Sequence, residues 1–228
     1  TIHKVGSGDL TCYPLLSELA KTNKPIILST GLSSLHEVAS AIDYIEKCNA
    51  SYITDRKLAI LQCTSSYPTP DEDVNLAAMV TLKNEFCLPV GYSDHTPNLI
   101  NPIAATAMGA KVYEKHFTID RSLPGPDHRM SLSPGELKQT VKAIRDTEEA
   151  MGNSEKRVLE SEKENRAKLR KSIVTIKSIE KNTIITRNML AIKRPGNGIP
   201  PSEIYNIIGK KVKYDLIEDY VLSLNDIK

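Results

Sequence analysis

The chain has 228 residues, 40% of them apolar and 25% charged, with a net charge of +2. Such a composition describes a folded globular protein of one large or two smaller domains. So small a charge gives no field that would draw nucleic acid or an anionic membrane surface.

No apolar run approaches the ~18 residues of a membrane-spanning helix. The opening Thr1-Ile2-His3-Lys4 has neither Met nor a signal-peptide core, and it falls directly in a strand-like motif, so the chain reads as a fragment lacking its N-terminal part. Cys12, Cys48, Cys63 and Cys87 are far apart and form no CxxC pair. They read as reduced thiols of a cytoplasmic protein.

The first strand is Ile2-His3-Lys4-Val5, ending in Gly6-Ser7-Gly8-Asp9, and Leu10 to Ala20 carries apolar residues at helical spacing. A second buried strand, Pro25 to Leu28, ends in Ser29-Thr30-Gly31. Ser33 or Ser34 followed by Glu37 predicts a capping box, with a helix from Leu35 to Cys48. Lys57 to Cys63 is the third strand, and the following Thr64-Ser65-Ser66-Tyr67-Pro68-Thr69-Pro70 bars immediate helix. Asp73 is expected to cap a helix from Val74 to Asn84. Strands four and five are Val90 to Ser93 and Lys111 to Phe117, separated by an Ala-rich helix from Pro102 to Gly109. After a Pro124-Gly125-Pro126-Asp127-His128 loop comes a long helix from Ser133 to Met151, with Ser133 as N-cap, Pro134 at N1, Glu136 at N3 and Gly152 as the stop.

Apolar strands alternating with helices predict a parallel sheet of an α/β protein. Each strand ends in polar residues, and chemistry in such folds collects at the C-terminal strand ends. With no GxGxxG signature at any strand end, an eight-stranded (β/α)8 barrel with three units cut away fits better than an open dinucleotide-binding sheet. Residues 1–152 are thus assigned to the C-terminal part of the barrel, and the mixed-charge 153–171 to a solvated linker. Residues 172–228 form a small, mainly β domain. Ile179 to Leu190 weakly echoes Ile217 to Ile227, with one gap, which suggests a pseudo-two-fold unit. A unit this small is marginal alone and is expected to dock on something.

His95 and His116 stand at the ends of neighbouring strands. A single strand-end histidine is ordinarily structural, but two together are equally consistent with a loosely held divalent ion that keeps open positions. Asp94 and Glu114 could ligate or orient the rings, or Asp94 could be buried or cap a helix. Ser7, Ser29 and Ser93 with Lys4 could cradle a phosphate, or serve as turn and capping residues. Asp127-His128 lies on a rigid loop, either a plain turn or a substrate loop, and Lys193-Arg194-Pro195-Gly196 is a comparable turn where the arginine could recognise a carboxylate. Lys4 and Lys115 are candidates for a Schiff-base aldolase, and a non-catalytic carbohydrate-binding module is the rival from another class.

Taken together and in order, several motifs resemble the sialic acid synthase family. They are Lys4-Val5-Gly6-Ser7-Gly8-Asp9, Ile27-Leu28-Ser29-Thr30-Gly31, Cys63-Thr64, Tyr67-Pro68, Asp73-Val74-Asn75-Leu76, Gly91-Tyr92-Ser93-Asp94-His95-Thr96, Glu114-Lys115-His116-Phe117-Thr118, Pro124-Gly125-Pro126-Asp127 and Lys193-Arg194-Pro195-Gly196. The resemblance implies a (β/α)8 barrel followed by an antifreeze-like (SAF) domain. It also implies condensation of phosphoenolpyruvate with an N-acetylated amino sugar aldehyde to a nine-carbon 2-keto acid.

By the same resemblance His95 and His116 hold a divalent metal, manganese first, with magnesium or cobalt as alternatives. Lys4, Ser7, Ser29 and Ser93 surround the phosphoenolpyruvate. Ser65 stands where some relatives place Asn on the phosphate side. Asp9, Tyr67 and Asp127 lie near the sugar, and Arg194 reaches the sugar site of the other protomer in a domain-swapped homodimer. The Gly-Pro-Asp loop looks more like neuraminate or legionaminate synthases than pseudaminate synthases. The family's catalytic glutamate and a further lysine fall in the part this chain lacks, so residues 1–228 alone are expected to be inactive.

Overall fold

Five strands, β1 (His3–Val5), β2 (Ile26–Ser29), β3 (Leu58–Cys63), β4 (Val90–Asp94) and β5 (Val112–Lys115), form one parallel sheet in the order 1-2-3-4-5. The computed structural model describes residues 1–228 and falls into two units, Thr1–Ser154 and Glu155–Lys228. Strictly sequential order means that every crossover returns on the same side, which is the winding of a barrel. β1 and β5 are the edges of this barrel-type sheet.

Strand alternation sorts the side chains onto two faces. Val5, Ile26, Leu28, Leu58, Ile60 and Val90 join the core against the helices. Lys4, Ser29, Cys63, Ser93 and Glu114 alternate with them and line the opposite, inner face at the C-terminal strand ends. Gly91 is bare because the strands pack closely there. A Cβ at Gly91 would lie 2.3 Å from the Val112 carbonyl oxygen and 2.6 Å from Leu61 Cδ2.

The covering helices are α1 (Tyr13–Lys21), α2 (Leu35–Cys48), the short α3 (Ser51–Thr54), α4 (Ala77–Phe86), α5 (Ile100–Ala107) and α6 (Pro134–Met151). α2 starts at Ser34, whose backbone N–H donates to Glu37 Oε2 at 2.8 Å, with the Ser34 hydroxyl accepting from the Glu37 N–H. Ser133 and Glu136 form the same box at α6, with Pro134 in the first turn.

The first helix starts at Tyr13 rather than Leu10, behind the 3-10 turn Ser7–Asp9, and two further helix starts shift for identifiable reasons. Asp73 does not cap α4. Its carbonyl accepts from the Thr64 hydroxyl at 2.7 Å, the Val74 carbonyl accepts from Gln62 Nε2 at 3.3 Å, and Asn75 takes a left-handed φ of 44°. The first turn is thus spent on tertiary bonds and the helix begins at Ala77. α5 starts two residues before Pro102, because Asn98 Oδ1 accepts from the N–H groups of Ile100 and Asn101. Pro102 therefore sits within the first turn, where its missing N–H does no harm.

The second unit contains a short exposed helix, α7 (Lys163–Leu169), an antiparallel pair β6 (Ser172–Thr175) and β7 (Leu190–Lys193), and the one-turn α8 (Ile204–Ile207). Its core is aliphatic, built largely of isoleucine. The internal echo is structural and needs no gap. Asn182 and Asp219 both have positive φ (69° and 60°), as Asn and Asp tolerate. Thr186 and Ser223 each precede a 3-10 turn at φ −115° and −114°, and Leu190 and Ile227 each leave it extended and buried.

Candidate active site

The C-terminal ends of the five strands enclose a cavity of ≈ 580 Å³ that Lys4, Ser7, Ser29, Cys63, Ser65, Tyr67, Ser93, His95, Glu114 and His116 help to line. On its β1–β3 side three loops converge at Gly31. The Gly31 N–H donates to Ser7 Oγ at 3.0 Å. A Cβ at Gly31 would stand 2.5 Å from Ser65 Oγ and 2.8 Å from Ser7 Oγ. Ser29 is 2% exposed, and its Oγ is buried without a hydrogen-bond partner. A buried unsatisfied hydroxyl is costly and rare, and a ligand oxygen would satisfy it. Lys4 Nζ lies 3.3 Å from Glu114 Oε2, a charge contact not aligned as a hydrogen bond.

On the β4–β5 side the His95 and His116 rings are 5.2 Å apart between centroids. His95 Nδ1 lies 2.8 Å from the Thr64 carbonyl oxygen. That oxygen can only accept, so Nδ1 carries the proton and Nε2 keeps its lone pair. His116 Nδ1 is 3.7 Å from Asp127 Oδ2. Burial holds the His116 imidazole below the ordinary histidine range, against the upward pull of Asp127. Burial also pulls His95 down, but the Cys63 thiol and the Thr64 carbonyl outweigh it and leave His95 above that range. The Tyr67 ring lies 4.2 Å from that of His95 and edge-on to that of His116 at 5.8 Å.

Two imidazoles, one with its tautomer fixed by a backbone carbonyl and one facing a carboxylate, suit a divalent ion. No group of three or more His, Cys, Asp or Glu side chains converges as a metal cage. A site of this kind leaves positions for water or substrate oxygens.

Asp94 does not join it. Its Oδ1 accepts from the Thr96 N–H (2.7 Å), the Thr96 hydroxyl (2.8 Å) and the Tyr92 hydroxyl (3.2 Å), and its Oδ2 accepts from the Tyr113 hydroxyl (2.8 Å). Lys115 Nζ is 3.4 Å from Oδ2 and also donates to the Thr96 carbonyl. This buried knot fixes the strand end between Ser93 and His95. It also engages Lys115, whose side chain is 3% exposed.

The remaining candidates are placed differently. Asp9 is exposed on the 3-10 turn after β1 and does not line the cavity. Asp127 is exposed on its loop, against His116. Arg194 is exposed on the turn after β7 in the second unit. Sequence reasoning placed Cys63 in the Cys63-Thr64 motif but gave it no role in the site, although it touches both halves. Its Sγ accepts from the Ser7 hydroxyl at 3.5 Å and lies 4.0 Å from His95 Nδ1. Its position at the end of β3, level with Ser93, is the signal that could have found it.

Residues 1–156 match the model of the NeuB family, and residues 170–228 match that of the SAF domain. The N,N'-diacetyllegionaminic acid synthase of Legionella pneumophila is 46% identical over 213 residues, covering 93% of this chain and 60% of that protein. The human N-acetylneuraminate-9-phosphate synthase is 38% identical over 218 residues, covering 95% of this chain and 59% of that one. A crystal structure of N-acetylneuraminic acid synthetase from Leptospira borgpetersenii superposes with a TM-score of 0.65 at 35% identity, covering 72% of this chain and 55% of that one. The chain thus spans less than two thirds of the length of these relatives.

Proposed function

The chain belongs to the NeuB family, and on that footing we propose that the full-length protein condenses phosphoenolpyruvate with an N-acetylated sugar aldehyde. The products are a nine-carbon sialic-type 2-keto acid and phosphate. The observation that carries this reading is one cavity holding both a pair of imidazoles and an anion cradle with an orphan hydroxyl at Ser29.

His95 and His116 hold the divalent ion, with manganese first. When bound, the ion supplies Lewis-acid polarisation of the sugar carbonyl. Lys4 offsets phosphoenolpyruvate charge, while the hydroxyls of Ser7, Ser29, Ser65 and Ser93 donate to its oxygens, so that the enol carbon is presented to the aldehyde. The carbon–carbon bond forms there. Water then adds to the former enol carbon, and phosphate leaves with cleavage of the C–O bond.

Tyr67 and Asp127 border the histidines on the sugar side, while Asp9, outside the cavity in this structure, meets the sugar only by reaching in from the β1 loop. Arg194, exposed on its Pro-Gly turn, reaches the sugar site of the partner protomer in a domain-swapped homodimer. The amine chemistry of a Schiff-base aldolase fits less well, because Lys115 is held by Asp94 and Thr96 and Lys4 is paired with Glu114. The substrate is N-acetylmannosamine or a 2,4-diacetamido-trideoxyhexose, and the reaction runs in the cytoplasm.

The test is a sugar panel. The full-length protein is given phosphoenolpyruvate, manganese and N-acetylmannosamine, its 6-phosphate or diacetamido-trideoxyhexoses of both stereochemical series. Phosphate and keto acid should appear in equal amounts with one member of the panel. Phosphate release that ignores the sugar, or none with any sugar, would overturn the reading.

A further inference from the structure

His128 has no part in the chemistry above, yet the structure holds it firmly. β5 ends at Lys115, short of the expected Phe117, and the chain then loops out at Thr118 and returns at Leu132. Thr118 N–H donates to the Leu132 carbonyl and Leu132 N–H to the His116 carbonyl, both at 2.9 Å. The excursion between carries Asp127.

Inside this loop the Thr118 hydroxyl is a hub. It donates to the Asp120 carbonyl at 2.9 Å, which commits its proton, so the 2.7 Å contact with His128 Nδ1 has the imidazole N–H as donor. Thr118 is 4% exposed, so the anchor is internal. The ring edge lies over Gly125, where a Cβ would stand 3.1 Å from His128 Cδ2 at a φ of +146°. On the other side of the loop, the Ser131 hydroxyl donates to the Asp127 carbonyl at 2.7 Å. The Asp127 backbone is thereby pinned from both sides, and its carboxylate faces His116 Nδ1 at 3.7 Å.

We propose that His128, through its bond to Thr118, is a positioning residue that latches the Asp127 carboxylate against His116 and so sets the affinity of the His95–His116 pair for a divalent ion. A carboxylate beside the second nitrogen of a ligating imidazole raises its basicity through charge. Losing a hydrogen-bonded partner typically weakens metal binding about 10–100-fold, and at 3.7 Å the contact is electrostatic, which places it at the lower end of that range. The inference rests on the metal reading of the two histidines given above.

The test is Mn2+ titration of the full-length protein without substrates, followed by the EPR signal of free manganese. Thr118→Val and His128→Gln should each weaken binding about tenfold. His128→Asn keeps an N–H donor near the Nδ1 position and should bind like wild type. Asp127→Asn should weaken binding too, and His128→Gln added to Asp127→Asn should weaken it no further, because the histidine acts through that carboxylate. A merely structural histidine would give additive losses and no rescue by asparagine. If His95→Ala and His116→Ala abolish binding while Thr118→Val and His128→Gln leave it unchanged, the latch is wrong and the metal pair stands. If the two alanine variants bind Mn2+ like wild type, the metal reading falls and the latch with it.

Discussion

Asp94→Asn tests what holds the site together. Asp94 is fully buried and accepts from Thr96, Tyr92 and Tyr113 while facing the ammonium of Lys115. Asparagine keeps the shape but puts an NH2 where one oxygen stood. Turned toward Oδ1, it meets three donors. Turned toward Oδ2, it meets one hydroxyl, which can rotate to accept, and an ammonium, which cannot. The second orientation is the cheaper one, and its cost is the stranded charge of Lys115. Burial already lowers the Lys115 pKa against the upward pull of Asp94.

Breaking a buried pair from one side costs about 3–5 kcal/mol. At roughly 2–4 °C per kcal/mol for 150–250 residues, and somewhat less for the longer full-length protein, the Tm should fall by several degrees, up to about 20 °C. Urea denaturation and calorimetry of the full-length protein measure it. Adding Lys115→Met removes the stranded cation and should bring the double variant back to within about 2 kcal/mol of wild type. A loss below about 1 kcal/mol for Asp94→Asn, or no rescue by Lys115→Met, would refute the reasoning.

Ser29→Ala should keep or slightly raise stability, since a buried unpartnered hydroxyl costs about 1–3 kcal/mol, while raising KM for phosphoenolpyruvate; calorimetry and kinetics on one preparation check both signs. Gly91→Ala should destabilise by about 1–3 kcal/mol, because its Cβ would lie 2.3 Å from a backbone oxygen that cannot rotate away, with chemical denaturation as the readout. Mn2+ affinity should fall on acidification. His95 lies above the ordinary histidine range and His116 below it, so His95 takes up its proton first and sets the acid limb. Below that point the affinity should drop about tenfold per pH unit, one proton displacing one ion, and isothermal titration across pH 5–8 follows it.

The barrel-type sheet was legible because β2, β3 and β4 are short apolar runs that end in polar residues and recur between helices. α2 and α6 were legible because Ser34/Glu37 and Ser133/Pro134/Glu136 carry complete cap chemistry. α4 was misplaced at its start because the capacity of Asp73 to cap is overridden by bonds from Thr64 and Gln62, which lie on β3 and its loop. No local pattern encodes such bonds. The same limit applies inside the site. His95, His116 and the strand-end serines follow from strand position alone. The closure of the Asp94 knot, the thiol of Cys63 between Ser7 and His95, and the orphan state of Ser29 depend on which neighbours the register brings near.

Phosphate release from phosphoenolpyruvate tests the joined site most directly, measured on the full-length protein with manganese and the preferred sugar. Wild type and His36→Ala, an exposed histidine on α2 that does not line the cavity, should release phosphate at matching, sugar-dependent rates, while His95→Ala and His116→Ala should lose at least a hundredfold, about 2.7 kcal/mol of barrier. Retention of wild-type rates by either of the last two variants would contradict the assignment of this cavity as the catalytic centre.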